Sequence, residues 1–132
     1  MKRYLSRLLA LVLVVAIGLM GCTSSSGGLS GNYRDDSLLV INTLRTALAI
    51  PQDAPERLEL QTQARKVIND FAARYQRDTS LLKLNSFTTM RTALNSLAGH
   101  YSSYPNRAVP QKLKDRLEQE FKQVEISLKR GT

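Results

Sequence analysis

Residues 110–129 read PQKLKDRLEQEFKQVEISLK. Leu113, Leu117, Phe121, Val124 and Leu128 recur at helical spacing and share one face. Lys, Arg, Glu and Gln fill the rest, and Pro110 suits a first helical turn. The stretch is an amphipathic helix with one apolar stripe, and such a stripe needs a partner surface. Three further segments of the same kind precede it.

The nearest is 86–103, SFTTMRTALNSLAGHYSS, where Phe87, Met90, Leu94, Leu97, Ala98 and Tyr101 share a face. Asn85 or Ser86 can cap it. Before it, 54–76 carries Leu60, Ala64, Val67, Ile68, Phe71 and Tyr75 on one stripe. Asp53 and Glu56 have the spacing of a capping box, with Pro55 in the first turn. The earliest, 35–49, repeats Ile41, Leu44 and Leu48. Asp35 and Asp36 stand at its positive end, and Ile50-Pro51 stops it. The connections are short, which favours antiparallel neighbours. No period-two alternation is long enough for a strand. The expected fold is all-α, an up-down-up-down four-helix bundle over residues 34–132.

The beginning of the chain is of another kind. Lys2, Arg3 and Arg7 precede the uncharged run LLALVLVVAIGLM (8–20). Thirteen apolar residues are too few for a membrane span of roughly 20, and the layout is that of a signal peptide over 1–21. The run ends Leu19-Met20-Gly21-Cys22, which resembles the bacterial lipobox. That resemblance implies lipid transfer to the Cys22 sulfur and a mature N-terminus there. Cys22 is the single cysteine, so no internal disulfide can form. Residues 22–33, with TSSSGGLSGN at 23–32, have the composition of a flexible tether.

Removing the three leader cations from 19 Lys plus Arg leaves 16, against 11 Asp plus Glu, a net charge of +5. A moderately basic exported domain suits anionic lipid or acidic protein surfaces. Nucleic acid is not expected as a partner.

Little in the sequence supports catalysis. There is one histidine, no thiol beyond Cys22, and no Gly-rich phosphate loop or nucleophile elbow. No cofactor, metal or catalytic residue is expected. Glu118 and Glu120 are placed to pair with Lys114, Lys122 and Arg116 four residues away, and Glu125 with Lys129. His100 lies about 120° from Leu94 around the helix, on a flank, and Gly99 about 140°, facing out. The histidine is open to three roles: a helix-end residue, a partner contact, or a pH sensor.

The string TALNSLAGHYSSYPNRAVPQKLKDRLEQEFKQVEISLKRG (92–131) resembles the photosystem II assembly lipoproteins of the Psb twenty-seven family. Leu97-Ala98-Gly99-His100-Tyr101, Arg107, Pro110, Lys112, Arg116-Leu117 and Arg130-Gly131 carry the likeness. Val124 and the ending Gly131-Thr132 depart from it. The resemblance implies a monomeric, lipid-anchored protein on the lumenal side of the thylakoid membrane. It implies transient binding to immature photosystem II, chiefly to the large lumenal loop of the smaller core-antenna chlorophyll protein. Such a protein holds the complex ready for manganese cluster assembly before the extrinsic subunits bind, during assembly and repair. The candidate contact surface is Arg91, Gly99, His100, Tyr104, Asn106 and Arg107. The alternative from the residues alone is a generic envelope lipoprotein that chaperones or inhibits another protein.

Overall fold

A computed structural model describes residues 28–132. The signal peptide, Cys22 and residues 23–27 lie outside the described residues.

Four α-helices run Tyr33–Ala49 (α1), Arg57–Tyr75 (α2), Asn85–Ser103 (α3) and Gln111–Arg130 (α4). A 3-10 turn, Thr79–Lys83, precedes α3. It escapes the sequence pattern because five residues carry no period, and Asp78 caps it through the Ser80 amide. α1 packs mainly on α2 and α3 on α4, with α1–α4 and α2–α3 contacts closing the ring. One pole gathers the start of α1, the end of α2, the start of α3 and the end of α4. The Tyr33 hydroxyl is 2.8 Å from Ser86 Oγ, and the Ser86 amide donates to the Thr132 carbonyl at 3.2 Å. The opposite pole gathers the other four helix ends. The bundle is therefore up-down-up-down, as the short connections imply.

The four stripes meet as expected. Phe71, Phe87, Phe121, Leu44, Leu97 and Leu117 are fully enclosed, each contributing about 1.5–3 kcal/mol on burial. Met90, Leu94 and Tyr101 of α3 join them, while Ala98 and Leu113 are partly covered.

The helix ends differ in part from the expected ones. Asp35 and Asp36 stand in the first turn of α1 as expected, and Asn32 before them caps the helix by accepting from the Asp35 amide at 3.0 Å. The Asp53–Glu56 capping box does not form: Glu56 is the N-cap of α2 and makes no side-chain capping bond. Neither Asn85 nor Ser86 caps α3, which begins after an extended Leu84. Its Ser86 amide is satisfied from the chain's own end instead. Gly131, at φ 73°, ends α4 in the left-handed conformation and turns Thr132 back towards α3.

Two corrections concern charge. Asp36 is not a surface charge at a helix start; it is 1% exposed. Its carboxylate accepts from the Ser30 amide (2.6 Å), the Ser30 hydroxyl (2.9 Å), the Gly31 amide (3.0 Å) and the Tyr75 hydroxyl. Leu29 is buried beside it. Residues 29–32, whose composition suggests tether, thus belong to the packed domain. Second, Glu118 and Glu125 bond across the bundle rather than along α4. Arg45 of α1 grips Glu118 with Nε and Nη2 (3.1 and 2.9 Å) and Glu125 with Nη2 (2.5 Å). Of the i,i+4 pairs expected on α4, only Arg116–Glu120 forms among the described residues, at 2.8 Å.

Candidate docking surface

The end of α3 and the turn after it build the candidate surface. Helical phase drives Tyr101 into the core, where burial raises its hydroxyl pKa. His100, one step back, falls on the flank and is half-buried. Its Nε2 is enclosed and has no hydrogen-bond partner among the described residues. Its ring lies 5.5 Å from the Tyr104 ring and 6.2 Å from that of Tyr101.

The Tyr104 amide closes α3 by donating to the His100 carbonyl at 2.8 Å, and the Arg107 amide then donates to the Tyr104 carbonyl at 3.2 Å. These two bonds fold the turn so that the Arg107 guanidinium lies 5.5 Å from the Tyr104 ring centroid. A cation over a tyrosine face is favourable by about 0.5–1 kcal/mol at an exposed site. The result is a row: His100, Tyr104, Arg107. Tyr104 is 49% exposed, a large aromatic flanked by His100 and Arg107 yet open to solvent. α2 braces this turn from the other side, where Gln61 Nε2 donates to the Pro105 carbonyl at 3.0 Å. Asn106 is exposed at the tip.

Gly99 faces open space: a Cβ there would meet nothing within 4 Å. It adjoins the row and lets a partner approach the α3 backbone closely. Arg91 does not join. Nine helical steps place it half a turn away from His100, and its guanidinium covers the Phe87 ring at 5.9 Å. The structure thus brings together Gly99, His100, Tyr104, Asn106 and Arg107, and leaves Arg91 on another side of α3.

Beside the row lies a shallow cleft of about 180 Å³ between the helix ends of this pole. Arg57, Arg107 and Lys114 line it, with Tyr101, Leu48 and Val109. No local sequence pattern links Arg57 and Lys114, because they lie 50 and more residues apart, on different helices. No group of three or more His, Cys, Asp or Glu side chains close enough to hold a metal ion occurs among the described residues. No helix among them is long and apolar enough to cross a membrane.

In class the protein is a small all-α bundle with a buried apolar centre and an aromatic and basic surface at one pole. The profile of the family described as Photosystem II Pbs27 matches residues 9–128. The chain is 56% identical over 130 residues to the photosystem II assembly factor lipoprotein Psb27 of Thermosynechococcus vestitus, covering 98% of this chain and 97% of that protein. It is 59% identical over 131 residues to the photosystem II lipoprotein Psb27 of Synechocystis, covering 99% and 97%. The photosystem II repair protein PSB27-H1 of Arabidopsis thaliana is 32% identical over 100 residues, 75% of this chain and 58% of that one. The solution structure of Psb27 from cyanobacterial photosystem II superposes with a TM-score of 0.76 at 57% identity, covering 80% of this chain and 92% of that one. The chain belongs to the Psb27 family.

Proposed function

We propose that this chain is a non-catalytic photosystem II assembly and repair factor, anchored by a lipid on Cys22 to the lumenal face of the thylakoid membrane. It binds immature photosystem II transiently, chiefly at the large lumenal loop of the smaller core-antenna chlorophyll protein. While bound, it keeps the complex ready for manganese cluster assembly and delays the extrinsic subunits. Near-full-length identity to relatives named as photosystem II assembly factor and lipoprotein is the observation that carries this function.

The geometry supplies a mechanism. A membrane anchor confines the search for a partner to the membrane surface and raises the effective concentration. The row Gly99, His100, Tyr104, Asn106 and Arg107 then makes the contact. Tyr and Arg are the residue types enriched at binding hot spots, and here the fold has already ordered them. A pre-ordered surface spends less conformational entropy on binding.

Chemical cross-linking in thylakoid membranes, read by mass spectrometry, tests the docking claim. Cross-links from Lys112 or Lys114, which flank the row, to the lumenal loop of the core-antenna protein are expected. Cross-links confined to stromal or non-photosystem proteins would refute it.

A further inference from the structure

The distal-pole cleft has a charge pattern that docking on a generic protein surface does not require. Arg57 at the start of α2, Arg107 in the α3–α4 turn and Lys114 in the first turns of α4 all line it, and no carboxylate does. None of the three cations makes an ion pair among the described residues. The carboxylates closest along α4 are committed elsewhere: Asp115 accepts from Gln111 Nε2 at 2.8 Å, and Glu118 is held by Arg45. Glu56 and Glu59 flank Arg57 in sequence, are exposed, and do not line the cleft. Two other clefts that hold cations also hold carboxylates: the one on α2 contains Asp70, already bonded to Lys66, and the one between α1 and α4, which Lys114 also borders, contains Asp115 and Glu118.

Size narrows the ligand. About 180 Å³ is below the roughly 300–1,000 Å³ of small-molecule and cofactor sites, but admits one or two short acidic side chains. Position narrows it further. The tether is clamped at the opposite pole by Asp36, and α2, with 19 residues, is about 28 Å long. From Cys22 to Leu29 the chain spans at most about 25 Å. The cleft thus lies at the end of the bundle remote from the anchored end, which favours a protein partner over the headgroups of that membrane.

We infer that the cleft formed by Arg57, Arg107 and Lys114 is an anion subsite that receives one or two carboxylates of an acidic segment of the partner protein. The inference rests on the lipid-anchored docking function above and adds the chemistry the partner must present. Arg107 belongs to both surfaces, so the acidic segment enters beside the Tyr104 row and fixes the register of docking.

The test uses the lipoprotein purified from membranes in neutral detergent, with a fluorescent deca-glutamate peptide followed by anisotropy. The wild type is expected to bind the peptide, and the combined Arg57→Glu, Arg107→Glu, Lys114→Glu variant to bind at least about tenfold more weakly. The corresponding triple glutamine variant, with unchanged helical circular dichroism, is expected to fall between them, which covers any misfolding of the reversal variant. Lys122→Glu, exposed on α4, is expected to leave binding unchanged. No binding by the wild type, equal binding by the triple variants, or an equal loss with Lys122→Glu would overturn the inference. Displacement of the peptide by phosphatidylglycerol vesicles, dependent on the same three cations, would reassign the cleft to lipid and also overturn it. Co-purification with photosystem II separates the two levels. If the triple variant still co-purifies like wild type, the subsite is wrong and the docking function stands. If the wild type does not co-purify, the docking function itself is wrong.

Discussion

Replacing Asp36 by alanine removes the acceptor that ties residues 30–31 to α1 and α2. Its four bonds differ in what their loss costs. The Tyr75 hydroxyl is buried, so without Asp36 it keeps an unpaired donor in the core. A bond to a charged acceptor contributes about 1.5–3 kcal/mol. The Ser30 and Gly31 amides are partly exposed and regain water, at about 0.5–1 kcal/mol each. Relief of the buried carboxylate's own desolvation offsets part of this. The expected loss is about 2–4 kcal/mol, a large share of the roughly 5–15 kcal/mol of a typical domain. For about 100 residues that lowers Tm by about 10–25 °C. Urea and thermal unfolding followed by circular dichroism measure it. Tyr75→Phe is expected to cost about 1–2 kcal/mol, and the double variant less than the sum of the two, because they share one bond.

The same carboxylate sets a pH dependence. Burial alone raises its pKa, but the bonds from Tyr75, Ser30 and Gly31 outweigh burial and leave it below the ordinary aspartate range. A group whose folded pKa is depressed stabilises fully above its unfolded pKa, near 4, and loses that contribution as pH falls through the folded value. Wild type is therefore expected to lose stability below about pH 4 more steeply than Asp36→Ala. A loss under about 0.5 kcal/mol in Asp36→Ala, with the acid limb unchanged, would refute the clamp.

Gly31→Ala is expected to cost about 1–2 kcal/mol in urea unfolding, since φ is 92° and a Cβ would stand 2.6 Å from Arg74 Nη2. Arg45→Ala is expected to cost about 1–2 kcal/mol and to lose part of that effect at 1 M salt, because its ion pairs are partly exposed and its stack on Phe121 is not screened. Gly99→Leu separates fold from docking: thermal unfolding is expected to rise slightly, by up to about 1 kcal/mol, while photosystem II binding falls at least tenfold. Cys22→Ala is expected to move the protein from the membrane to the soluble fraction on alkaline washing.

The helices are legible in the sequence because each has one long stripe, and a 3.6 period over 17 to 20 residues has few competing explanations. The ends are less so. Asp35 and Asp36 look alike as letters, yet one helical step turns the first outward and the second into the α1–α2 interface. Its partner Tyr75 is 39 residues away, beyond any local pattern. A usable signal existed: Tyr75 closes an apolar stripe, and a buried tyrosine hydroxyl needs a partner. Arg45 was missed for a similar reason. Rules for i,i+4 pairs rank Glu118 and Glu125 with their own helix and cannot see a guanidinium on α1. At the candidate surface, helical phase placed Tyr101, His100 and Gly99 correctly. It also contained the fact that Arg91 lies half a turn from His100, which grouping by residue type overlooked. The cationic cleft is assembled from three segments and becomes visible only once the bundle closes.

Affinity purification of the tagged chain from solubilised thylakoid membranes, with mass spectrometry of what accompanies it, tests the central claim most directly. Recovery of photosystem II core subunits depleted of the extrinsic subunits is the predicted result. Recovery of other membrane or envelope proteins without photosystem II subunits would contradict it.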